Sequence, residues 1–246
     1  MERPGGASIV LSQIRCVAET GSTNVDLLAL AASGAPEASW LRAERQTAGR
    51  GRQGRAWESP VGNLYASTLV RLRPTDPPAA TLSLVAGVAL AEVVLSYVGA
   101  GCGVALKWPN DLLVGRAKLA GILLERADNA VVAGIGVNLA HHPDLADRAT
   151  TSLAVHGAVV APADFIETLA DSFGHWLRRW RGEGLGPVRD RWTAHAHRVG
   201  TALQVRLPDG GVVDGLFEGL SSDGALMLRL ADGRLHVMHA GDVFLV

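Results

Sequence analysis

A chain of 246 residues has room for one large domain, or one large and one small, at roughly 150 residues per domain. Its 23 Lys and Arg against 24 Asp and Glu leave a formal net charge of −1, which argues against binding nucleic acid through a global positive field, so any cationic chemistry must be local. With 48% hydrophobic and 19% charged residues the chain can build a core and is too uncharged to be disordered.

The two cysteines, Cys16 and Cys102, cannot make a disulfide framework or a four-cysteine zinc site, and a reducing compartment suits them. The apolar run Ile9-Val10-Leu11 falls short of the ~7–15 residues of a signal-peptide core. The uncharged stretches 77–91 and 93–106 are parted by Glu92 and carry glycines, so neither is expected to give the ~20 apolar residues of a membrane span. These features predict a cytoplasmic protein with no membrane association.

In chain order, Ser22 and Thr23 stand ahead of a Leu/Ala run that stops at Gly34, which predicts a hydroxyl-capped helix over 24–32. Strands are expected over 40–43 and 64–72, flanking a glycine-rich loop. The segment 81–97, rich in Ala, Leu and Val, is too long for a strand and reads as a buried helix. Short apolar segments over 104–107, 118–125 and 130–138, parted by Asn-Asp and Asp-Asn turns, suggest a sheet. From 163 to 181, Phe165, Ile166, Leu169, Phe173, Trp176, Leu177 and Trp180 recur at helical spacing and are expected to pack into the core.

Beyond His197 the rhythm shortens. Strands over 201–207, 212–220, 225–230, 235–239 and 243–246, separated by Asp-Gly and Gly-Asp turns, predict a small β-barrel. It spans under 50 residues or so, too few for a robust core of its own, and should dock on the larger domain. The expected class is α+β: a mixed β-sheet domain with packed helices over residues 1–198 and the barrel over 199–246.

Two segments can carry chemistry. In Gln46-Thr47-Ala48-Gly49-Arg50-Gly51-Arg52-Gln53-Gly54-Arg55-Ala56-Trp57, glycines let backbone N–H groups approach an anion while guanidiniums supply charge and paired donors. A phosphate is the natural ligand, although a solvated loop or an RNA-contacting segment has the same composition. Neither a Walker loop nor a dinucleotide fingerprint is present. The second segment, Lys107-Trp108-Pro109-Asn110-Asp111, ends a strand in a turn that fixes where Asn110 and Asp111 point, and Gly121, just after Lys118, permits close approach of a ligand.

These pieces, with Ser22-Thr23-Asn24, Lys118-Leu119-Ala120-Gly121-Ile122-Leu123 and Gly134-Ile135-Gly136-Val137-Asn138, occur in the order and spacing that resembles the biotin protein ligases. The resemblance runs from about Glu19 to the C-terminus and implies the class II synthetase-like fold of biotin and lipoate ligases, with a C-terminal SH3-like barrel. It implies that biotin and MgATP give biotinyl-5′-AMP and pyrophosphate, and that a lysine of a biotin carboxyl carrier protein then takes the biotinyl group. Lipoate or octanoate ligation by the same superfamily is the alternative.

Carried over by motif position, Ser22, Thr23 and Asn24 would bound the biotin pocket, with Thr23 and Gln46 on the ureido end. Gly49, Arg50, Gly51 and Arg52 would close over biotin and the adenylate phosphate, the loop ordering only when occupied. Lys118 would bind the carboxylate and α-phosphate beside Gly121. Trp57 would stack on adenine, Asn138 would read its edge, and Lys107 and Asn110 would serve the nucleotide. Asp111 would accept or orient the proton of the attacking lysine. Mg²⁺ would ride mainly on the ATP phosphates, aided by Asp111 or Asn110. No zinc site is implied, since His141-His142 has no further Cys or His at matching spacing.

Gln53, Ala56 and Ala140 depart from the family's usual basic residue, glycine and second Asn. The chain has too few residues ahead of its first helix for a helix-turn-helix module of ~60 residues, so the expectation is a single-function form that does not bind DNA, as monomer or homodimer.

Overall fold

The computed structural model describes residues 13–246; the run Ile9-Val10-Leu11 lies outside them. Twelve strands and four α-helices follow in order: β1 (Gln13–Thr20), α1 (Thr23–Ala32), β2 (Ser39–Gln46), β3 (Leu64–Arg71), α2 (Leu82–Val98), β4 (Val104–Lys107), β5 (Asp111–Val114), β6 (Ala117–Ala127), β7 (Ala130–Val137), α3 (Pro162–Glu183), α4 (Gly186–Ala194), β8 (Ala202–Arg206), β9 (Val212–Leu220), β10 (Leu226–Arg229), β11 (Leu235–Met238) and β12 (Asp242–Leu245).

The first seven strands form one sheet in the order β1-β2-β3-β7-β6-β5-β4. Only β1 and β2 run parallel, joined by α1 as the crossover, so the sheet is mixed as expected. Side chains alternate across it. Ala66, Val70, Ile122, Val131, Ala133, Ile135 and Val137 join the main core, which α2 and α3 complete. On the opposite face α1 covers one end through Leu27 and Ala31, against Leu41, Leu69, Ala130 and Val132. The rest of that face stays open and carries the site.

Helix α3 buries the expected stripe, from Phe165 to Trp180. Its indoles are satisfied inside: Trp180 Nε1 donates to Thr81 Oγ1 at 2.8 Å, and Trp176 Nε1 to Glu92 Oε2 at 2.8 Å. Cutting Trp180 to Ala would cost about 3–5 kcal/mol. Helix α2 corrects one expectation: the helical stretch Ala79–Val98 is long and apolar enough, by length and composition, to cross a membrane despite Glu92. Eleven of its residues from Leu82 to Val94 are buried, and Glu92 also pairs with Arg191 of α4 at 2.8 Å, so it is the central core helix.

The five remaining strands form an antiparallel sheet in the order β11-β10-β9-β8-β12. Leu203, Val205, Phe217, Leu226, Leu228 and Val243 continue the main core, so this small sheet shares the larger one's apolar interior. Polar ties add to it: Lys107 Nζ donates to the Val243 carbonyl at 3.0 Å, Trp108 Nε1 to Gly224 at 3.2 Å, and an Arg116 guanidinium N–H to Leu245 at 2.9 Å.

Candidate active site

Lys118 faces the open side of the sheet because β6 is irregular. Leu112 of β5 pairs with Ala120 but Leu113 pairs with Lys118, so Leu119 is an extra residue. Leu119 and Ala120 both turn to the core. This bulge reverses the alternation and delivers Lys118 to the same face as Gly121. Its Nζ lies 2.6 Å from Asp111 Oδ1, while Lys107 Nζ lies 3.1 Å from Oδ2. Lys107 and Asp111 are cross-strand neighbours at the mouth of the β4–β5 hairpin, whose turn holds a cis Trp108–Pro109 bond. Burial alone would raise the Asp111 carboxyl; the charges of Lys118 and Lys107 outweigh it and hold the group below the usual carboxylate range.

Glycines make the floor. A Cβ on Gly136 would stand 2.7 Å from the Trp57 indole, and one on Gly134 only 2.2 Å from Asn24 Oδ1, so bare backbone lets both side chains lie flat on the sheet. Lys118 Nζ is 5.4 Å from the centre of the Trp57 ring, within cation–π range. The Trp57 N–H is buried and has no acceptor among the described residues. The resulting cavity of about 330 Å³ runs along β6 and β7. Gly121 and Glu125 are four residues apart on one face, roughly 13 Å of strand, which separates a Lys118 end from an Asn24 end.

At the Asn24 end polar groups are paired with one another. Gln46 Oε1 accepts from the Thr23 N–H at 2.8 Å and lies 3.1 Å from Thr23 Oγ1. Ser67 Oγ lies 2.7 Å from Thr23 Oγ1 and 2.6 Å from Asn24 Oδ1. Asn24 Nδ2 donates to Glu125 Oε2 at 2.8 Å. Ser22 occupies the cap position of α1 without making a side-chain cap bond, so its hydroxyl lines the cavity rather than serving the helix as expected. Tyr65, whose hydroxyl donates to the Pro60 carbonyl at 2.7 Å, forms part of the wall, and its burial pushes the phenol well above its ordinary range.

The arginine-glycine loop is a small hairpin closed by Trp57 N–H to Gly49 O at 2.9 Å and Gly51 N–H to Arg55 O at 2.7 Å. It parts two arginines that the sequence put to one task. Arg50 reaches the Asn24 end, 3.1 Å from Glu125 Oε1. Arg52 lies at the other, 3.5 Å from Asp242 and 3.5 Å from Asn110 Oδ1, with Arg55 also on Asp242. Gln53, at the hairpin tip with φ 57°, accepts from Arg55 at 2.6 Å.

Among the residues named from sequence, Ser22, Thr23, Asn24, Gln46, Arg50, Gly51, Arg52, Trp57, Asn110, Asp111, Lys118, Gly121 and Asn138 all border the cavity. Gly49 and Lys107 do not. Gly49 is a packing glycine whose Cβ would meet the Trp57 carbonyl at 2.6 Å, and Lys107 spends its ammonium on Asp111 and Val243. Asn138 Nδ2 donates to the Thr151 carbonyl at 3.0 Å, so Oδ1 is the atom left to meet an amino group. Sequence reasoning missed Ser67, Glu125, Arg148 and Asp242. It also missed Asn63, whose Oδ1 gathers the N–H groups of Leu139, Ala140 and His141 at 2.9, 2.9 and 3.0 Å and so shapes the turn after Asn138.

A narrow slot with hydrogen-bonding groups at one end and clustered cations at the other has the chemistry to take an elongated acid whose carboxylate meets a phosphate. Residues 19–140 match the biotin/lipoate A/B protein ligase family and residues 204–246 the biotin protein ligase C-terminal domain. The chain is 41% identical over 243 residues to a biotin–[acetyl-CoA-carboxylase] ligase of Paracoccus denitrificans, covering 93% of this chain and 98% of that one. It is 38% identical over 244 residues to the ligase of the same name from Mycobacterium tuberculosis, covering 97% and 91%. The chain belongs to the biotin/lipoate protein ligase family, on the biotin protein ligase side. In fold it is similar to the Aquifex aeolicus biotin protein ligase solved with biotin and ATP, at a TM-score of 0.85 and 22% identity over 95% of this chain and 99% of that one.

Proposed function

We infer that this cleft activates biotin with ATP and passes the biotinyl group to a lysine of a biotin carboxyl carrier protein. The observation that carries the reading is the slot itself: paired polar groups at its closed end suit a ureido ring, and Lys118 stands where the acid's carboxylate would arrive. In the first step a biotin carboxylate oxygen attacks the α-phosphorus of ATP, the bond to the β-phosphate oxygen breaks, and pyrophosphate leaves. In the second a neutral lysine amine attacks the acyl carbon, the acyl–phosphate bond breaks, AMP leaves with the electron pair, and the amine's proton passes to solvent.

A carboxylate repels a polyphosphate, so the protein must neutralise both and hold them in line. Lys118 and Arg52, with Asn110 between Arg52 and the β4–β5 turn, do so at the open end. Arg50 closes the acyl end, and Trp57 covers the stretch where acyl chain and adenylate meet, its indole N–H free for a ligand oxygen. Asn138 takes the adenine amino group through Oδ1. Asp111 is assigned to orienting Lys118: a carboxylate held below its usual range by two ammonium groups is a weak proton acceptor.

Mg²⁺ would arrive with the triphosphate. Asp111, Asp147 and Asp242 at the cleft and Glu125 behind it are each engaged by Lys or Arg, which leaves Glu58 as the one lining acid without such a partner among the described residues, and a single carboxylate does not fit a protein-held metal site. We divide the chain at 198/199 into a catalytic and a C-terminal domain, and place it in the cytoplasm as a monomer or homodimer that does not act on DNA; a net charge of −1 supports the last point. The test is incubation with ATP and either biotin or lipoate, followed by mass detection of the acyl-adenylate. Biotinyl-5′-AMP is expected; activation of lipoate and not biotin overturns the reading.

A further inference from the structure

The closed end of the slot is one chain of hydrogen bonds, and its direction is set from a residue that does not border the cavity. A carboxylate only accepts. Asn24 Nδ2 donates to Glu125 Oε2 at 2.8 Å and to the Leu123 carbonyl at 3.2 Å, so two acceptors hold the amide with Oδ1 turned toward Ser67. Oδ1 also only accepts, so its 2.6 Å contact with Ser67 Oγ consumes the single hydroxyl hydrogen of Ser67. The 2.7 Å contact between Ser67 Oγ and Thr23 Oγ1 then needs the hydrogen of Thr23. The longer approach of Thr23 Oγ1 to Gln46 Oε1, at 3.1 Å, goes without it, and that oxygen is served by the Thr23 backbone N–H at 2.8 Å. What remains for the cavity is a lone pair on Thr23 and, beside it, one amide N–H of Gln46, whose other N–H is directed at Ser59 Oγ, 3.4 Å away.

We propose that Glu125 is a specificity-determining positioning residue: by fixing Asn24 and, through Ser67, Thr23, it makes the acyl pocket select an acid that carries an N–H donor next to a carbonyl acceptor. This rests on the reading of the cleft as a biotin-activating site, and it says why a cyclic urea is chosen over an apolar ring of the same size. The second carboxylate oxygen, Oε1, meets the half-exposed Arg50 at 3.1 Å, while the oxygen that orients Asn24 is Oε2. Neither Glu125 nor Ser67 is assigned a ligand contact; both act through Thr23.

The experiment compares adenylation kinetics for biotin and for biotin methylated on its ureido nitrogens, in the whole protein and in Glu125→Gln, Ser67→Ala and Arg50→Ala. A site built around a ligand N–H discriminates strongly against a ligand lacking it, so the unaltered protein should favour biotin by about 10³-fold or more in kcat/KM. Glu125→Gln, whose amide can face Asn24 either way round, and Ser67→Ala, which cuts the chain, should each shrink that preference at least tenfold or so, through KM for biotin with the analogue little changed. Arg50→Ala leaves Oε2 on Asn24, so it should lower turnover of both acids alike and keep the preference between them. If Glu125→Gln does not fold, Ser67→Ala reads the same chain. Equal losses on both acids in Glu125→Gln and Ser67→Ala, or collapse of the preference in Arg50→Ala alone, overturn the proposal. Absence of any biotinyl adenylate from the unaltered protein is a separate result that overturns the biotin reading itself.

Discussion

Arg52 of the arginine-glycine loop and Asp242 of the last strand, 190 residues apart in sequence, meet with Nη1 3.5 Å from Oδ1. Arg52 also donates to the Gly241 carbonyl at 3.3 Å, and Arg55 grips the same Asp242. The small C-terminal sheet therefore holds one side of the loop that covers the cleft. Asp242→Asn should loosen the loop while leaving the sheet in place. Partly exposed ion pairs are worth about 0–1 kcal/mol, so KM for ATP should rise severalfold with Tm almost unchanged. Unchanged KM for ATP, measured by pyrophosphate release, would detach the C-terminal sheet from loop closure.

Lys118→Ala should lower adenylate formation by roughly 10²–10³-fold, the scale of removing one preorganised charge from a transition state. It also leaves buried Asp111 with Lys107 alone, so a modest fall in Tm is expected alongside. Near-normal pyrophosphate release in a folded variant would contradict the role given to Lys118.

Gly134→Ala should damage the acyl end selectively. The new methyl would meet Asn24 Oδ1 at 2.2 Å, and Asn24 is pinned by Ser67 and Glu125. Overpacking of this kind costs about 1–3 kcal/mol. Biotin affinity by calorimetry should fall tenfold or more, while ATP binding at the Lys118 end changes little. Equal loss of both ligands would argue against the assigned ends of the slot.

Stability should decline in two stages as pH falls. His195 and His197 are held below the usual imidazole range, by burial first and then by Arg191 for His195, opposed by Glu92, and by Lys107 and Arg116 for His197. The unfolded chain thus binds these protons at higher pH than the folded one, so their contribution is whole above about pH 6.5 and is lost below it. Asp111 and Glu37 follow in acid. Burial raises both, and cations outweigh it, Lys118 and Lys107 at Asp111 and Arg181 at Glu37, so their contribution persists above about pH 4 and disappears below. Thermal melts should lose a few °C between pH 8 and 5, and His197→Gln should flatten that limb. A flat profile across this range would refute the assignment.

What the sequence made legible was whatever is contiguous. The Lys107–Asp111 and Lys118–Leu123 motifs, the arginine-glycine loop, helices α2 and α3 and the five short C-terminal strands all announce themselves locally. Three elements did not. In β1 charged and polar residues leave an exposed edge strand without an apolar alternation. The Asn-Asp pair hid β5, because Asp111 opens a strand whose bend lies earlier, at Trp108 to Asn110. Helix α4 buries only Val188 and Trp192 and has no periodic stripe to betray it.

In the site, the unread part is the long-range part. Glu125 stands two residues past the motif that caught Lys118, and its meaning depends on Asn24, 101 positions away. The two arginines looked equivalent in a run of alternating glycines, and only the hairpin sends Arg50 to Glu125 and Arg52 to Asp242. The bulge at Leu119 left no mark in composition, yet it decides which face Lys118 serves.

The most direct test of the central claim is transfer of radiolabelled biotin to a biotin carboxyl carrier domain in the presence of ATP. The account predicts label on one carrier lysine, dependent on ATP and lost in Lys118→Ala. A carrier that stays unlabelled under these conditions, or that takes lipoate in place of biotin, would contradict it.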